Sequence, residues 1–137
     1  MFLSEEEYDK LIQNFESFVD INEVNMKSKL LKIPSMLSTF INVHSKESEE
    51  LRIMEIERKR IFGEKAHHYR YKSPFEYKGK EVEYQVQANK EYVNHVNLME
   101  KQATIVERLE NCIKTIRDSS FIIKTALDIQ KFKSGES

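Results

Sequence analysis

The sequence predicts a mainly α-helical protein, and three observations carry that expectation. Apolar residues recur at three- and four-residue steps over most of the chain. Gly 3 and Pro 2 are too few for a fold built on many tight turns. Charged residues make up 33% of the 137 residues against 39% hydrophobic. Long helices, or an apolar seam completed by a second subunit, accommodate such a balance.

The elements follow in order. Ser4-Glu5-Glu6-Glu7 has the capping-box form, with Ser4 at the N-cap. A short acidic helix follows, of about ten residues, with Leu11, Ile12 and Phe15 on one side. Asp20 to Asn22 breaks it and caps the next helix. From Glu23 to about His44 the apolar positions Val24, Leu30, Leu31, Leu37, Phe40 and Ile41 keep helical spacing, and Pro34 predicts a kink or restart near Ile33. Ser45 to Ser48 is placed to cap a further segment that carries Leu51, Met54, Ile61 and Phe62 toward Tyr71. Over Ser73–Val86, and chiefly 75–86, Phe75, Tyr77, Val82, Tyr84 and Val86 alternate with polar residues around Gly79. A small β-hairpin and a loop are equal alternatives there. Asn89 suits the N-cap of the last long helix, with Ile105, Leu109, Cys112, Ile113 and Ile116 as its apolar seam. That seam either packs inside the monomer or forms an inter-subunit coiled coil. Asp118-Ser119-Ser120 predicts a restart before Ile122, Ile123, Ala126, Leu127, Ile129 and Phe132. The expected organisation is an acidic helix over 1–20, a helical region over 21–88 and a C-terminal helical region over 89–137, together one compact unit.

Composition narrows the function classes. The N-terminus lacks the basic start and apolar stretch of a signal peptide. Apolar runs such as Phe121-Ile122-Ile123 fall far short of a membrane span. A single cysteine, Cys112, excludes an internal disulfide framework and fits a reducing cytoplasm, so a cytoplasmic protein without membrane association is expected. There is no GxxxxGK[ST], HExxH or GxSxG motif and no paired-cysteine spacing. Cys112 on the apolar seam reads as a small hydrophobe. His67 and His68 point about 100° apart on a helix, and Glu64 with His68 supplies only two ligands, so no metal or other cofactor is expected. The expectation is a protein without enzymatic activity.

The net charge of −1 conceals a strongly uneven distribution. Residues 1–23 carry −6, while 58–80 carry +6 from eight bases and two acids. Within it, residues 58–72 read RKRIFGEKAHHYRYK, six Lys or Arg facing the single acid Glu64, with Phe62, Tyr69 and Tyr71 interleaved. Surfaces of this kind bind single-stranded nucleic acid, because cations neutralise phosphates while bases stack on aromatic faces. No helix-turn-helix or finger signature points to duplex readout. The bland alternative is a solvated basic helix face whose tyrosines cover core. A coiled-coil adaptor or assembly protein with no DNA role is the competing function.

Three stretches resemble the UvsY family of phage recombination mediators. The tail IRDSSFIIKTALDIQKFKSG is similar to the family's ending, an aromatic-x-Ile-Lys unit and then a helix closing on basic-Phe-x-x-Gly. Those positions are Phe121, Ile123, Lys124, Lys131, Phe132 and Gly135. His44-Ser45 with the Glu/Arg-rich helix after it is the second stretch. EKAHHYRY is the third, resembling a Lys-Ala-Arg-Leu segment and its following tyrosines. That motif departs here: His67 stands at the family's Arg and His68 at its Leu, and only Lys65 is matched by a base in either register. Residues 20 to 135 are covered in order.

This resemblance implies binding of single-stranded DNA and loading of a RecA-type recombinase onto strands coated with single-stranded-DNA-binding protein. It implies a ring-like homo-oligomer, hexamer or heptamer, assembled through the C-terminal region, here Ile105, Leu109, Cys112, Ile116, Phe121, Ile123 and Phe132. If phage-encoded, the protein would act in the host cytoplasm. The DNA-contacting residues expected are Arg58, Lys59, Arg60, Lys65, His67, Arg70 and Lys72 on phosphates, with Tyr69 and Tyr71 against bases.

Overall fold

A computed structural model describes residues 1–135 of the chain. Four α-helices account for most of them: α1 (Glu5–Val19), α2 (Met26–His67), α3 (Lys80–Ala88) and α4 (Lys90–Lys133). A π-helical turn, His68–Lys72, follows α2 directly. The chain divides into two compact units, Met1–Lys46 with the residues from Glu107 onward, and Glu47–Val106.

In the first unit Ser4 caps α1 as its sequence suggests, its hydroxyl accepting the Glu7 N–H at 3.1 Å. The helix runs 15 residues, longer than its spacing predicted, because Phe18 is buried beyond Ile12. Asn22 closes the following turn by accepting the N–H groups of Val24 and Asn25. No basic residue lies in the last turn of α1, so Lys29 of α2 supplies one, donating to the carbonyls of Ser17 and Asp20. Phe15 meets Phe40 at 5.9 Å between ring centroids, and Glu16 pairs with Arg108. His44 lies 3.1 Å from Glu110.

The core of this unit consists mainly of Ile12, Phe18, Met26, Ile33, Phe40, Leu109, Cys112, Ile113, Ile116 and Ile123. On α2 the residues Met26, Ile33 and Phe40 stand seven apart, as do Leu109, Ile116 and Ile123 on α4. That repeat is the seam of helices packed along their length. Of the two arrangements open for the α4 seam, the packing is internal: Leu109, Cys112, Ile116 and Ile123 are buried within the chain itself. Ile105 is half-buried, and Phe121 and Phe132 are exposed. Burial of Cys112 also raises its thiol pKa above the ordinary range.

The second unit continues the repeat on α2 with Glu47, Met54 and Ile61, and on α4 with His95 and Gln102. Glu47 and Gln102 are 0% and 2% exposed, and the Gln102 amide donates to the Glu47 carbonyl at 2.9 Å and to its carboxylate at 2.6 Å. His95 Nε2 lies 2.7 Å from the Met54 carbonyl oxygen. Two polar contacts therefore occupy seam positions, which fixes an antiparallel register that an all-apolar seam would leave free to slide.

At four places the structure corrects a sequence expectation or decides between its alternatives. Helix α2 is continuous through Pro34, without the restart that was one alternative there, and through Ser45–Ser48, and α4 is continuous through Asp118–Ser120, where new starts were expected. Seam residues are buried on both sides of each site, and this burial outweighs weak local propensity. No hairpin forms at 75–86: residues 73–79 form a connection and α3 begins at Lys80. Val82 and Val86 alternate with Tyr84, but they are also an i,i+4 helical pair, and they are buried while Tyr84 is exposed. Gly79 precedes α3 at φ +56°, a conformation that disfavours other residues. Among the described residues no helix is long and apolar enough to cross a membrane.

Candidate nucleic-acid interface

The candidate cations lie on the last turns of α2 and on the π-helical turn, all within the second unit. Single π-helical turns are frequent at functional sites, because the wider turn redirects the side chains that follow. Here it ends at Ser73, whose extended backbone (ψ 146°) precedes Pro74.

The strip is electrostatically uneven. Arg58 pairs with Glu55 at 2.6 Å, and its other terminal nitrogen lies 3.4 Å from the Tyr92 hydroxyl. Arg60 is held by both Glu57 and Glu64, one turn to either side. Lys65 reaches across to Glu91 of α4 at 2.6 Å. Hydrogen bonds from these cations hold the carboxyls of Glu55, Glu57 and Glu91 below the usual range. The same interactions raise Arg58, Arg60 and Lys65. The N-terminal part of the strip is thus largely neutralised by its own chain.

Farther along the situation reverses. Among the described residues Arg70, Lys72 and Lys80 form no ion pair, nor, back within the first part, does Lys59. Arg70 and Lys72 are exposed on the π-helical turn. His67 is exposed and packs against Tyr71 at 5.0 Å, and His68 meets the edge of Tyr69 at 5.3 Å. The two candidate tyrosines differ: Tyr71 is 69% exposed, whereas Tyr69 is half-buried and its hydroxyl accepts the Asn89 amide at 3.1 Å. Asn89 in turn caps α4, accepting the Tyr92 N–H at 3.2 Å, so this expected cap forms.

Sequence reasoning alone misses the acids Glu57 and Glu91, the Tyr92 contact, and the rings of Phe75 and Tyr77 as parts of this region. Tyr77 meets Tyr69 edge-on at 6.0 Å and Phe75 at 6.4 Å. The i−3 and i+4 spacings of Glu57 and Glu64 from Arg60 are visible signals; the partner of Lys65 is not. Glu64, which by spacing could share a metal with His68, instead holds Arg60. No group of three or more metal-ligating side chains occurs among the described residues.

A family model described as recombination, repair and ssDNA binding protein UvsY matches residues 14–136. No curated protein matches the chain in sequence. Three crystal structures of the bacteriophage T4 recombination mediator protein UvsY share the fold at 17% identity. In the first lattice type the TM-score is 0.81, covering 90% of this chain and 98% of that one. In the second it is 0.83, covering 92% and 96%. A further lattice type gives 0.80, with 92% and 98% covered.

Proposed function

Because the chain belongs to the UvsY family, we propose that it is a recombination mediator that binds single-stranded DNA and loads a RecA-type recombinase onto strands coated with single-stranded-DNA-binding protein. The observation that carries this reading is the strip from Arg58 to Lys80, where exposed unpaired cations stand among aromatic rings. Arg70, Lys72 and Lys59 take phosphates first. Arg58, Arg60 and Lys65 engage only when phosphate displaces their carboxylates. No residue set for a reaction enters this account, which needs only binding and transfer.

Self-assembly belongs to the same proposal. With the α4 seam used inside the chain, a second copy would meet the apolar residues that remain on the surface of the first unit. Leu31, Phe121, Ile122, Ile129 and Phe132 are such residues, Phe121 at 73% and Phe132 at 86% exposed. Large apolar side chains left exposed in this way are the material of an interaction surface. A ring repeats the cationic strip, and repetition raises the affinity of weak sites through effective concentration.

The test is a titration of labelled oligothymidylate across a salt series. Changing Lys59, Arg70 and Lys72 together to Gln should weaken binding and flatten the salt dependence by about two units, at roughly 0.7 for each phosphate no longer neutralised. Unchanged affinity and slope would refute the strip. Light scattering of Phe121→Ser/Phe132→Ser protein should show smaller particles than wild type.

A further inference from the structure

The region after the π-helical turn holds a feature that the strip of cations does not explain. Phe75 is 69% exposed, although a phenylalanine gains from burial. It is nevertheless held in place. Its N–H donates to the Ser73 hydroxyl at 3.3 Å, and Pro74 restricts the backbone before it. Its ring rests against Tyr77, which rests edge-on against Tyr69, whose hydroxyl is fixed by the side chain capping α4. None of these ring contacts is a parallel stack, with interplanar angles of 56° and 83°, so they leave ring faces uncovered. Arg70, Lys72 and Lys80, the unpaired cations, flank this segment in the sequence.

From this arrangement we propose that Phe75 is a principal base-stacking residue of the single-strand site, with Tyr71, backed by His67, as the second ring, and that Tyr69 and Tyr77 position Phe75. The inference rests on the single-strand reading and deepens it, extending the site beyond Lys72 onto the 73–79 connection. An exposed ring on a fixed backing loses little freedom when a base stacks on it. The interaction is indifferent to base identity, since every base presents a π-face. Tyr69 does not serve this role, because it is half-buried and committed to Asn89 and Tyr77.

The experiment separates stacking from charge. Full-length protein is titrated with labelled oligothymidylate and with an abasic oligonucleotide of equal length and charge. Wild type should prefer the first by about tenfold, near the range for one or two stacked bases. Phe75→Ala should remove most of that preference while leaving affinity for the abasic strand and the salt slope unchanged, because no charge is removed. Phe75→Trp should keep the preference. It also introduces the sole tryptophan of the chain, whose emission should be quenched by oligothymidylate and not by the abasic strand. Equal binding of both strands by wild type, or an undiminished preference in Phe75→Ala, overturns the stacking assignment alone. Binding of neither strand overturns the single-strand reading, and the stacking assignment with it.

Discussion

Arg60 offers the sharpest test of how the protein's own acids set its grip. Its guanidinium is held by Glu57 and by Glu64, three residues before and four after, with the side chain still 51% exposed. A phosphate arriving at Arg60 must displace carboxylates already in place. Each exposed intrahelical pair biases an equilibrium by only about twofold, so two bias it by about fourfold. Glu57→Gln/Glu64→Gln should therefore tighten binding to oligothymidylate by about fourfold at low salt. The freed guanidinium becomes one more site of counterion release, which should steepen the salt slope by about 0.7 unit. Fluorescence anisotropy over a salt series measures both. Glu49→Gln is the control: it likewise removes an acid from α2, but its partner, Arg52 at 2.5 Å, precedes the strip. An equal gain in the control, or no change in slope for the double variant, would refute the claim that these acids mask Arg60.

Three further outcomes follow from the packing. Gly63 sits within α2 and a methyl group there meets nothing within 4 Å, so Gly63→Ala should stabilise the protein by about 0.5–1 kcal/mol in thermal melts. Gln102→Ala removes the amide that serves buried Glu47 and should cost about 1–3 kcal/mol in denaturant unfolding, whereas a neutral result would deny the seam contact its role. The Glu91 carboxyl is depressed below its ordinary 4.5 by Lys65, so its stabilising contribution is complete above that value and lost as pH falls through the lowered pKa. Glu91→Gln should accordingly melt below wild type at neutral pH, with the difference closing as pH falls below 4.5 and through the lowered pKa.

Much of the fold was legible because it depends on helical periodicity and on caps. Ser4 and Asn89 perform the capping that their types and places suggest. The misreadings on α2 share a cause. The seven-residue repeat from Met26 to Ile61 was disguised by Glu47, a charge where the pattern calls for an apolar residue. Its partner Gln102 lies 55 positions away, so no local window could show the charge to be satisfied. With the repeat hidden, Pro34 and the Ser45–Ser48 stretch looked like ends. Tyr84 misled differently, since one exposed ring between two valines fits period two as well as an i,i+4 pair.

The candidate site was legible in its charges and illegible in their pairing. Composition counts Arg58, Arg60 and Lys65 as equal to Arg70 and Lys72, yet among the described residues geometry assigns carboxylates to the first three and none to the last two. On the proposed function this division has a physical consequence. A mediator must hold a strand firmly enough to compete for it, and loosely enough to give it up. Cations that must exchange a carboxylate for a phosphate gain little net Coulomb energy, so they add contacts without adding much affinity. Open cations beside the rings of Tyr71 and Phe75 supply the initial grip, and copies of the site multiply it. Strand release then needs only the few open cations of one site to yield at a time, while the carboxylates reclaim their partners behind the departing phosphates.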